Sequence, residues 1–150
     1  MPDSLAYSTS TPRNGLPLLF TGQSQKEATV NEALLTIDLL LGAAIESVVS
    51  VPPPTPIAGR MWIIGNGATE AFSGRDNYIA AWTEGGWRFL QPYVGLRIHD
   101  RAAAAQRIFD GTWKLALAPT APNGGATVDS EARASIVAIL QALKTACIIS

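Results

Sequence analysis

The chain has 150 residues and a formal net charge of −1, with 15% charged against 47% hydrophobic residues. That length suits one ordinary domain, and Lys and Arg scattered singly give neither the clustered basic face of a nucleic-acid binder nor a membrane-surface patch. A single cysteine, Cys147, excludes an intrachain disulfide, and so sparse a charged surface suggests that part of it is covered by partners.

Residues 1–23 read as an N-terminal arm. The start is polar and rich in Pro, Gly, Ser and Thr, and "LPLLF" after it suits an edge segment or one that docks on a neighbour. It holds no basic region followed by an apolar run, so no signal peptide is expected, and synthesis in the cytoplasm follows. The longest apolar stretch is too short to span a bilayer.

A helix is predicted over 24–49. Ser24 and Glu27 have the spacing of a capping box, in which each side chain satisfies a free backbone donor. Val30, Ala33, Ile37, Leu40, Ala44 and Val48 recur at about 100° per residue and are expected to face the core. A second strip mixes Glu27, Asn31 and Asp38 with Leu35 and Leu39. A buried polar group there needs a partner, so this strip is expected to lie against another subunit or against the β domain; the alternative is a solvated flank. The prolines of "SVPPPTP" end the helix.

From 57 to 117 short runs rich in Trp, Ile, Phe and Tyr alternate with glycine turns, the pattern of a compact antiparallel meander. "TEGG" at 83–86 and "DG" at 110–111 are hairpin chemistry. "AAWTEGGWRFLQP" and "RIFDGTWKLALAP" echo one another: an aromatic residue, a glycine turn, Trp, a basic residue, and a run ending in Pro. Two similar hairpins are expected. Residues 118–128 form a linker. Asp129 then caps a C-terminal helix over 129–146. Its Ala132, Ile136, Ile139, Leu143 and Ala146 step by four and three, a heptad seam. Ile at both core positions favours trimers or tetramers, while a plain amphipathic helix on its own domain is the alternative. Cys147 suits a small core or interface residue. The fold class is α+β: an arm and long helix, a Trp-rich antiparallel domain, and an oligomerisation helix.

Candidate chemistry is thin. His99, the one histidine, lies in "GLRIHD", where alternation sets Leu96, Ile98 and Asp100 against Arg97 and His99. No His/Cys/Asp cluster has metal-ligand spacing, and no nucleotide-binding or nucleophile-elbow motif occurs. Asp76, Glu84, Asp100 and Asp110 fall in or beside turns, where Asp and Glu are ordinary, and nothing pairs them as a glycosidase requires. No catalytic residue, metal or cofactor is expected. Trp82, Trp87 and Trp113 flank the two echoing turns. They suit sugar stacking if exposed, or the core of a small sheet if not.

Residues 14 to about 114 resemble a domain of unknown function found in structural proteins of prophages and gene transfer agents, on tail-fibre or head-spike components. "GLPLLFTGQSQKEATVNEALLTID" carries the resemblance, with "GRMWIIG", "IAAWTEGGWRFLQPYVG" and "RIFDGTWK". The C-terminal "ATVDSEARASIVAILQALK" is similar to a helix that ends many such chains. "HDRAAAAQ" departs from the Gly-containing turn of that pattern, which leaves the strand pairing there open. The resemblance implies a non-enzymatic virion component, an oligomeric base, connector or small fibre, commonly trimeric, beside other virion proteins. The interface residues expected from the mixed strip and the heptad seam are Glu27, Asn31, Asp38, Ile136, Ile139 and Leu143. A carbohydrate-binding module touching host surface polysaccharide, or a glycan-cleaving spike, are the alternatives.

Overall fold

A computed structural model describes residues 10–14, 16–19, 27–125 and 129–150, with the backbone alone of 27 and 28. The described chain is α+β, with two helices and two mixed sheets of four strands each. The proposed capping box, which needs Ser24 and the Glu27 side chain, lies outside the described residues.

Helix α1 spans Glu27–Leu40, well short of the predicted end at 49. Gly42 follows in the left-handed conformation at φ +61°, a usual helix stop. The β-branched residues beyond it form two short strands instead, β1 (Ala44–Ile45) and β2 (Val48–Val49), because Val and Ile fit a pleated surface better than a helix. The apolar spacing beyond Leu40 comes from these two strand segments and not from a helix.

These two strands also change the body of the fold. It contains β3 (Met61–Ile64), β4 (Ile79–Thr83), β5 (Gly86–Leu90), β6 (Arg97–Asp100), β7 (Ala105–Phe109) and β8 (Trp113–Leu115). The expected single antiparallel meander is instead two three-stranded meanders, β3-β4-β5 and β6-β7-β8. Each is extended by a parallel strand, β1 beside β6 to give the first sheet, β1-β6-β7-β8, and β2 beside β3 to give the second, β2-β3-β4-β5. A parallel neighbour requires a crossover. The proline-rich loop supplies one for β2 to β3, and the whole of the second sheet supplies the other.

The two predicted hairpins are both present. Thr83 pairs with Gly86 around Glu84 and Gly85, and Phe109 pairs with Trp113 around Gly111 at φ +76°. "HDRAAAAQ" also closes an antiparallel pair, Asp100 with Ala105, its turn held by Ala103 N–H donating to the Asp100 carboxylate at 3.0 Å.

Leu39, Ile45, Met61, Ile63, Ile79, Ala81, Leu96 and Ile98 make one core, drawn from α1 and from both sheets. Ile64, Phe72 and Ala80 make a second on the other face of β3 and β4, with Trp87 and Phe89 packed against it. The second sheet is therefore buried on both faces, which explains why "MWII" and "IAAW" read as continuous apolar runs.

The expected core stripe of α1 faces outward. Val30 is 38% and Ile37 52% exposed, whereas Asp38 and Leu39 are buried. The mixed strip turns inward because it has partners there. Leu39 enters the shared core, and Glu32, beside it, pairs with Arg88 of β5 at 2.5 Å. Helix α2 spans Ser130–Thr145 and is capped as expected, Asp129 accepting from Ala132 N–H at 2.8 Å; no residue of it is buried.

Candidate functional site

The polar strip of α1 is a latch for the N-terminal arm. Asn31 mimics a strand neighbour: its Oδ1 accepts from Leu19 N–H at 2.9 Å and its Nδ2 donates to the Leu19 carbonyl at 3.1 Å. Two turns along, the buried Asp38 accepts from the backbone N–H groups of Arg13 and Asn14 at 3.1 and 2.7 Å, and from the Asn14 amide at 2.9 Å. Arg13 donates in return to the carbonyls of Leu39 and Gly42 at the C-terminal end of the helix, where a cation also complements the helix dipole. The polar groups that were expected to seek another subunit or the β domain thus meet the chain's own arm. Charge-assisted bonds of this kind are the stronger class of hydrogen bond. Glu27 lies outside the described side chains.

Trp82, Trp87 and Trp113 do not form one platform. Trp82 and Trp87 pair across the first hairpin with centroids 5.0 Å apart at 70°, and Trp87 also meets Phe72 at 4.9 Å, edge to face. Trp113 lies on the other sheet, packed against Phe109, its indole N–H donating to the Asn77 carbonyl at 2.8 Å. All three are half-buried, and edge-to-face rings present no flat pair to a sugar. Arg75 stacks over Phe89 at 4.2 Å, closing more of the aromatic layer.

The turn acids act as turn residues. Asp76 accepts from Gly67 and Ala68 N–H, and Asp110 pairs with Lys114 at 3.2 Å. Asp100 is buried and bonds Arg107 at 2.7 Å. His99 lies on β6 between Ala44 and Gln106. Among the described residues no group of His, Cys, Asp and Glu has the arrangement of a metal site. No helix among them is long and apolar enough to cross a membrane.

Ile136 and Ile139 of the α2 seam are 44% and 59% exposed, and Leu143 is half-buried. Val137, Leu140 and Lys144 instead line a small cleft with Pro119 and Ala121 of the preceding segment. The helix thus has an inner side toward its own linker and the heptad seam outside it.

Residues 30–114 match the family described as "protein of unknown function (DUF2793)". The match covers more than half of the chain. The chain belongs to this family. The matched DUF2793 residues run from within α1 into β8, so they take in most of α1 and nearly all of both sheets, while the arm and α2 lie outside them. No curated protein matches the chain. Sequence reasoning found Asn31 and Asp38 as polar residues in need of partners but missed the arm as their partner. The one available signal was Asn14 beside Arg13, the only Lys or Arg among residues 1–23.

Proposed function

We propose that this DUF2793 chain is a non-enzymatic structural component of a phage-like particle, a spike or fibre base or connector that assembles as a trimer. The exposed heptad seam of α2 carries this reading. A helix of 16 residues with no buried side chain is too short to hold itself in water, and self-association through Ile136, Ile139 and Leu143 would cover it. Ile at both seam positions favours three or four strands over two. The outward stripe of Val30, Ala33 and Ile37 on α1 adds a second apolar surface for contact with neighbouring virion proteins. Placement in a phage-like particle rests on the resemblance carried by residues 15–38.

Light scattering on the purified chain at micromolar concentration should give the mass of a trimer. The double variant Ile136→Asp with Leu143→Asp should give a monomer of unchanged circular dichroism in the β region. A wild-type monomer at that concentration overturns the assembly, and a double variant that keeps its mass removes α2 as the interface.

A further inference from the structure

We propose that the cleft between the arm, the end of α1 and the loop before β3 binds one carboxylate carried on a ring-sized ligand, through Arg13, Arg60 and Arg101. The cleft has a volume of about 550 Å³, within the range of small-molecule sites. Its three arginines come from three separate segments: the arm, the residue before β3, and the turn after β6.

Counting charges shows why an anion fits. Among the described residues Glu46 is the one acid lining the cleft, and its Oε1 is shared between Arg60 at 2.7 Å and Arg101 at 3.3 Å. Asp38, the nearby second acid, is already occupied by the arm's N–H groups. Arg13 spans neutral carbonyls at 2.5 and 3.2 Å. Among the described residues, three cations against two carboxylates leave one positive charge in excess, within a chain whose net charge is −1. Burial pushes the Arg13 guanidinium below its ordinary range; Asp38 pulls it back up, and the positive charges of Arg101 and Arg60 push it down again. A further anion would relieve that repulsion.

The donors and walls narrow the ligand. Guanidinium groups offer planar forks that match a carboxylate. Arg60 and Arg101 keep 40% and 50% of their side chains exposed, and among the described residues Glu46 is the only side chain either one bonds. Leu41 and Ile57, both exposed, line the same cleft and offer an apolar wall to the C–H face of a ring. The arm wall is built to close tolerance. Gly59 has φ +83°, and a Cβ there would lie 3.0 Å from Cγ of Arg13. A purely structural role, in which the arginines only staple the arm, needs neither the excess charge nor the open volume.

The test is arginine Nε–Hε NMR on the intact chain at low salt, titrated with D-galacturonate, cyclohexanecarboxylate and the neutral methyl ester of galacturonate. Saturable shifts of Arg60 and Arg101 with at least one acid and not with the ester are expected. A response to the sugar acid alone identifies an acidic saccharide, and a response to both acids identifies ring carboxylates at large. Arg101→Gln, at an exposed turn, should weaken binding about tenfold without moving the thermal midpoint. The proposal fails if neither acid gives a saturable shift, if the ester binds equally well, or if Arg101→Gln and Arg60→Gln both bind undiminished.

Discussion

The two sheets have the same strand order and the same directions, yet they use their outer faces in opposite ways. In the second sheet that face carries Trp62, Ile64, Trp82, Trp87 and Phe89, roofed by the 3-10 turn Glu70–Phe72, whose last residue, Phe72, is fully buried. In the first sheet the outer face is the register of Arg97, His99, Gln106, Ile108 and Lys114, of which Arg97, Ile108 and Lys114 are exposed and His99 and Gln106 half-buried. The echoing hairpins show how one pattern gives both results. Trp82 and Trp87 sit one pair back from the closing pair of their turn, whereas Phe109 and Trp113 are themselves the closing pair. Because side chains alternate, one step of register moves an aromatic pair to the other face. The first hairpin thus sends its rings outward, and the second sends them into the shared core.

The contrast breaks most visibly at the roof. Phe72→Ala should cost about 3–5 kcal/mol, the range for removing a fully buried ring, measured by urea denaturation. Amides of β4 and β5 should lose more hydrogen-exchange protection than those of β6 and β7. Equal loss in both sheets would mean that the outer layer does not belong to the second sheet alone.

Inner-face charges sharpen the comparison at a smaller scale. Asp100 of the first sheet is 2% exposed and holds both Arg107 and the turn N–H of Ala103. Asp100→Ala leaves a largely buried guanidinium without its acid, and should cost about 2–3 kcal/mol. The matching inner charge of the second sheet, Arg88, pairs with Glu32 across a half-exposed gap. Glu32→Ala should therefore cost about 1 kcal/mol or less. Thermal midpoints of the two variants, measured together, check the order.

The turns, the strands after residue 57 and the capped C-terminal helix were legible because each has a local cause: glycine at a left-handed position, alternation, a side chain on a free N–H. The split into two sheets was not. It depends on β1 and β2 choosing different partners far along the chain, and four strand residues carry no sign of that choice. The orientation of α1 failed for a related reason. Periodicity ranked Val30, Ala33 and Ile37 as the inward face, but Asn31 and Asp38 had partners in the arm and Leu39 had a place in the core. Satisfying a buried carboxylate with three N–H donors outweighed the simpler sorting of apolar residues. The arginine cleft was invisible for the same cause, since Arg13, Arg60 and Arg101 are scattered in sequence and meet only once the arm is latched.

The smallest effect tests whether the outer face of the first sheet is free. His99 is half-buried between Ala44 and Gln106 on that face. If solvent is its only other neighbour, His99→Ala should change stability by about 0.5 kcal/mol or less, as for other surface sites. The measurement is best made at two protein concentrations tenfold apart. A larger cost that grows with concentration would mean that another copy covers this face in the assembly, because only a contact between chains couples stability to concentration. The two sheets would then differ in what buries their outer faces, a roof of the chain's own aromatics on one and a neighbouring subunit on the other.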